Sequence, residues 1–120
     1  MSQQNERAEQ TALFAWARYN ATKYPPLQWL FATLNGERLQ PGQAARAKAA
    51  GMVAGVVDCW LIWPVGDAPG MAFEMKAGHN KPTAEQAEWL AHLAECGWRT
   101  GVYYSHEEAA AAIVRYLEGL

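Results

Sequence analysis

Gly55-Val56-Val57-Asp58-Cys59-Trp60-Leu61-Ile62-Trp63, a break from Pro64 to Gly70, and then Met71-Ala72-Phe73-Glu74-Met75-Lys76 decide how this chain is read. Two apolar runs flank a turn rich in Gly and Pro, which is the pattern of a β-hairpin. Three charges sit inside those runs, where desolvation is costly unless the charge is paired or binds a metal. Glu74 and Lys76 are two apart and share a strand face. Folding the hairpin about Gly66 sets Asp58 opposite Glu74, with Cβ atoms about 4.5–5.5 Å apart. Carboxylates that close repel unless a proton or a cation lies between them. Hard oxygen ligands suit Mg²⁺ or Mn²⁺.

The set Asp58, Glu74-x-Lys76 resembles the active-site pattern of the PD-(D/E)XK nuclease superfamily. With Gly51-x-x-x-Gly55-Val-x-Asp58, Gln86-x-x-Trp89, Gly97, Asn35-Gly36, and Glu6 with Gln10, it is similar to the VRR-NUC family, in particular its small stand-alone phage-type members. The resemblance covers nearly the whole chain. It implies an α/β fold with a restriction-endonuclease-like αβββαβ core, a mixed sheet flanked by helices. It implies a metal-dependent DNA endonuclease that prefers branched DNA such as four-way junctions. By the same analogy, Asp58 and Glu74 hold Mg²⁺ or Mn²⁺, with the Met75 carbonyl and Glu6 as further ligands. Lys76 would orient the attacking water and offset phosphate charge, and Gln86 would support the site. The family usually carries Pro where this chain has Val57. That Pro touches no metal, so activity is expected to survive the change. Cys59 and Trp60 are also unusual at their positions.

At 120 residues, 51% hydrophobic and 18% charged, the chain is expected to form one domain, residues 1–120, with a real core. The six Trp are numerous for this length, and some are expected at an interface. The two cysteines, Cys59 and Cys96, lack metal or redox spacing and read as small core residues. No run approaches the roughly 20 apolar residues of a membrane span, and no signal peptide is visible, so a cytoplasmic location is expected. A net charge of −2 argues against nucleic acid, but the distribution is uneven. Arg38, Arg46, Lys48, His79 and Lys81 gather in the middle third, as candidate DNA-binding residues. The acids gather toward the ends.

Helical spacing predicts a helix from about Glu6 to Lys23, stopped by Tyr24-Pro25-Pro26. Leu27–Leu34 reads as a strand, Asn35-Gly36 as a tight turn, and Pro41–Ala50 as a short helix closed by Gly51. After the central hairpin, Thr83 to Gln86 fits a capping box opening a helix to about Glu95. Trp98–Tyr104 reads as a strand, and Ser105 to Glu108 as a second capping box before the last helix.

Plainer readings stand beside the chemical ones. Asp58, Glu74 and Lys76 could form only a salt-bridge network. Gln86 has a complete structural job as a cap. Glu6 competes with Glu9, and exposed helix glutamates are common. His79 could be a solvated loop residue. A DNA-binding or assembly module without cleavage is the rival function. A small-molecule enzyme is a third, and it would need an enclosed pocket. A homodimer is expected on branched DNA, since one copy offers few basic residues. Phe14, Trp16, Trp60 and Trp63 are the candidate interface.

Overall fold

A computed structural model describes residues 2–33 and 41–120. The elements are α1 (Ser2–Asn20), β1 (Leu30–Ala32), α2 (Pro41–Ala49), β2 (Cys59–Leu61), β3 (Met71–Met75), α3 (Ala84–Glu95), β4 (Arg99–Tyr103) and α4 (His106–Leu117). The sheet order is β1-β2-β3-β4. β1, β2 and β3 are antiparallel neighbours, and β4 lies parallel to β3 after the α3 crossover. This is the mixed, helix-flanked α/β sheet expected from the alternation of elements. No helix among the described residues is long and apolar enough to cross a membrane.

The hairpin register matches the expectation. Cys59 pairs with Phe73, Trp60 with Ala72 and Leu61 with Met71. One more step sets Asp58 opposite Glu74. The strand β2 takes up only Cys59–Leu61 of the apolar run, and the chain before it approaches α3. Gly55 has φ +80, and a Cβ there would collide with Glu85 at the start of α3. Only glycine permits both that backbone and that approach.

All of β3 is buried, so its two faces feed two cores. Phe73 and Met75 join Leu13 of α1, Ile113 and Tyr116 of α4, and Cys59. Ala72 joins Val57 and Leu93, with Trp60, Trp89, Leu90 and Trp98 packed around them. Glu74 shares the second face, two residues beyond Ala72.

Two expectations need correction. Leu27–Leu34 is not one strand: Pro25–Trp29 forms a 3-10 turn, and β1 begins only at Leu30. Two consecutive prolines fix φ and remove two donors, and Leu27 N–H closes the turn on the Tyr24 carbonyl at 3.0 Å. Cys96 is not a core residue. It is exposed at the end of α3, while Cys59 is buried. Asn35, Gly36 and Arg38 lie outside the described residues.

Candidate active site

Asp58 enters at the start of β2, and Glu74 and Lys76 leave at the end of β3. Antiparallel pairing brings these two strand ends to one end of the sheet. The Asp58 N–H donates to Glu74 Oε2 at 3.2 Å. The segment holding Asp58 is fastened from two sides. Trp60 Nε1 donates to the Val57 carbonyl at 2.8 Å, and Thr33 N–H donates to the Asp58 carbonyl at 2.7 Å. Val57 itself is fully buried against Ala72 and Leu93, so the departure from Pro fills a core position.

Glu74 is 0% exposed, and its Oε1 has no hydrogen-bond partner. A buried, unpaired carboxylate oxygen is costly. Burial pushes the Glu74 carboxyl up to about 9, helped by side-chain contact with Asp58 and by its charge, while Lys76 pulls the other way. The pair therefore retains a proton at neutral pH. Burial, then Asp58 and Glu74, also push the Cys59 thiol up. Lys76 is 9% exposed, and its N–H extends the pairing of β3 to β4 through the Tyr103 carbonyl at 2.9 Å. An orphaned buried oxygen facing a second carboxylate is a donor set that fits a hard divalent cation. Asp58 and Glu74 could hold it.

Glu6 and Gln10 run along α1 toward this end of the sheet. Gln10 Oε1 lies 3.9 Å from Cys59 Sγ, beside Asp58. Glu6 Oε2 accepts from Asn80 Nδ2 at 3.2 Å. Asn80 sits in the loop after Lys76 and is pinned there, its carbonyl accepting from Tyr104 O–H at 2.8 Å. Asn80 and Tyr104 were missed in the sequence because no spacing links them to Glu6. The rival Glu9 is engaged elsewhere. It accepts from His106 N–H at 2.7 Å and lies 2.8 Å from His106 Nδ1, and these contacts lower its pKa. Glu9, His106 and Glu107 do bring ligand atoms within 4.8 Å of one another, but at the N-terminus of α4, where the helix dipole opposes a cation.

Gln86 completes the capping box. Its N–H donates to Thr83 Oγ1 at 3.1 Å, and its Oε1 accepts from Thr83 N–H at 2.9 Å. The second box is modified: Ser105 Oγ caps Glu108 N–H, but the Glu108 carboxylate takes the Tyr104 N–H. Arg46 and Lys48 are exposed on α2, and His79 and Lys81 are exposed in the loop before α3. Of the candidate interface aromatics, Phe14, Trp16 and Trp60 are half-buried against the chain's own cores, and only Trp63 is exposed. Tyr19 on α1, and Trp29 and Phe31 on and before β1, are more exposed than Trp63.

No family model and no curated protein sequence matches the chain. A solved structure described as a "VRR_NUC domain protein" shares its fold, with a TM-score of 0.79 at 23% identity, over 95% of this chain and 88% of the other.

Proposed function

We propose that this chain is a metal-dependent endonuclease that hydrolyses phosphodiester bonds in DNA, selective for branched duplexes. The observation that carries the reading is the buried Glu74 carboxylate, one oxygen unpaired, set against Asp58 with Lys76 two residues on. The name of the structurally similar protein supports it. In this reading Asp58 and Glu74 would hold Mg²⁺ or Mn²⁺, with the Met75 carbonyl and Glu6, now bonded to Asn80, as further ligands. The bound ion supplies Lewis-acid stabilisation of phosphate charge and acidifies water.

The chain's own residues do the rest. To hold the ion, Asp58 and Glu74 would have to give up the proton held between them. Lys76 orients the attacking water and offsets charge on the phosphate. Arg46, Lys48, His79 and Lys81 offer phosphate contacts, and Arg38 is a fifth candidate. Gln86 supports the site through its cap against the Gly55 segment.

The test is cleavage of linear, flap and four-way DNA under Mg²⁺ and Mn²⁺ titration. Asp58→Ala and Lys76→Ala should each lose at least about a hundredfold in cleavage rate, in line with removing a principal electrostatic contribution. Their DNA affinity should persist. Normal cutting by Lys76→Ala would overturn its role, and binding without any cutting by the wild type would point to an inactive module.

A further inference from the structure

The helix α2 stands apart from the body. Every described side chain on it is exposed except Ala47, which is half-buried, and among the described residues no helix or strand packs broadly against it. Residues 41–57 contain Arg46 and Lys48 and no acidic residue. A helix so exposed depends on its C-terminal cap. The Met52 N–H donates to the Ala47 carbonyl at 2.9 Å and the Gly51 N–H to the Lys48 carbonyl at 3.0 Å, with Gly51 at φ +105. That is a Schellman motif, in which the residue after the glycine folds back toward the helix. It fixes the direction in which the next residues leave. Those residues are Met52, 41% exposed, and Val53, 50% exposed. Two apolar side chains thus stand in water at the end of a basic helix, on the segment that leads to Asp58.

We infer that Met52 and Val53 form an apolar wedge that enters an interrupted base stack while Arg46 and Lys48 hold the adjoining phosphates. The inference rests on the nuclease reading and names how that site would choose its substrate. The charge of α2 complements nucleic acid. Apolar side chains inserted between base steps are an established means of engaging unstacked DNA. Prying a paired step apart with such a wedge costs about a few kcal/mol. Met52 and Val53 gain most where the stack is already broken, because unstacking is least costly at unpaired or distorted steps. The wedge therefore supplies preference for a branch point without reading sequence. It also sets a ruler. Val53 and Asp58 are five residues apart, so they are separated by at most about 18 Å. At about 3.4 Å per nucleotide along one strand, the cut falls within roughly five nucleotides of the branch.

The test uses the Glu74→Gln protein with Ca²⁺, so that binding is read without cleavage. Its probes are a four-way junction with 2-aminopurine at the branch and a linear duplex of equal length. The junction should bind about tenfold more tightly than the duplex, with brightening of the 2-aminopurine. Adding Met52→Ser and Val53→Ser should abolish both the preference and the brightening and leave duplex affinity unchanged. Arg46→Ala with Lys48→Ala should instead weaken both substrates alike and reduce the salt slope by about two. A Met52→Ser/Val53→Ser protein that keeps junction preference overturns the wedge, whether or not the enzyme cuts. So does a change of mass in light scattering on that double substitution, which would assign the pair to contact between copies. Brightening by a wild type that never cleaves would keep the wedge and sink the nuclease reading.

Discussion

At the scale of single residues, Glu74 carries the most distinctive physics. Its carboxyl is raised above the ordinary value of an unfolded chain. The folded state therefore keeps a proton that the unfolded state loses. The resulting stability is full below the unfolded pKa, near 4.5, and is lost as pH rises through about 9. Urea melts between pH 6 and 8.5 should show the metal-free protein weakening by up to about 1.4 kcal/mol per pH unit from this group. Glu74→Gln should flatten that part of the slope, and an equal slope in both proteins would contradict the assignment. Under the proposed function, metal loading must expel the same proton, and the rise in melting temperature caused by Mn²⁺ should then grow with pH. Glu74→Ala should lose the Mn²⁺ shift altogether. The shared face of Asp58 and Glu74 was legible in the sequence because strand alternation keeps both there in every register whose paired residue numbers sum to an even value. The tight turn closes Val65 on Ala68 and does not itself set the pairing of β2 with β3. The partners of Glu6 and Glu9 were not legible. Asn80 and His106 are 74 and 97 positions away, and only tertiary packing brings them near.

Among the elements, the approach of the Gly55 segment to α3 carries the geometry of the site. Gly55→Ala and Gly51→Ala form a matched pair. Both positions have positive φ, but nothing lies within 4 Å of a Cβ at residue 51, whereas Glu85 blocks one at residue 55. Gly51→Ala should cost about 1–2 kcal/mol from backbone strain alone. Gly55→Ala should cost clearly more and also weaken Mn²⁺ binding, because Val57 and Asp58 move with the segment. Equal losses in denaturant unfolding would show that the close approach contributes nothing. The capping box tests Gln86 in the same spirit. Thr83→Ala removes the cap at about 1 kcal/mol and leaves the Gln86 side chain in place. If Gln86 acts at the site as well, Gln86→Ala should lose more cleavage than Thr83→Ala at similar stability. Helices and caps were readable here because their signals are local. The Pro25–Trp29 turn was not separated from β1, since an apolar run bounded by turn residues does not reveal where extension begins.

At the largest scale, the proposed nuclease role requires a small chain with a net charge of −2 to engage DNA. Arg46 and Lys48 on α2 and His79 and Lys81 before α3 are exposed, but so are Arg7 and Arg18 on α1, Lys23, Arg99 on β4 and Arg115 on α4, while Glu85, Glu88 and Glu95 on α3 and Glu107, Glu108 and Glu118 around α4 place acidic groups among them. A two-fold dimer would double the basic surface and match the symmetry of a four-way junction. Light scattering at micromolar concentration should give twice the chain mass, and cleavage should fall on symmetry-related strands. A clean monomer would remove the dimer. Trp29 and Phe31, with Ile62 and Trp63, replace the half-buried Phe14, Trp16 and Trp60 as the surface on which to place disruptive substitutions. The sequence carried the number of aromatics but not their exposure, which depends on how each helix settles on the sheet.

The unequal fate of the two cysteines has a practical consequence. Cys59 is sealed in the core, and its environment disfavours the thiolate, so it resists alkylation. Cys96 is exposed at the end of α3, with its sulfur 3.6 Å from His92 Nε2. A maleimide dye or nitroxide should therefore attach at one known position of the natural sequence. Two copies brought together would then report their separation through a single pair of labels, and the wild-type protein becomes its own molecular caliper.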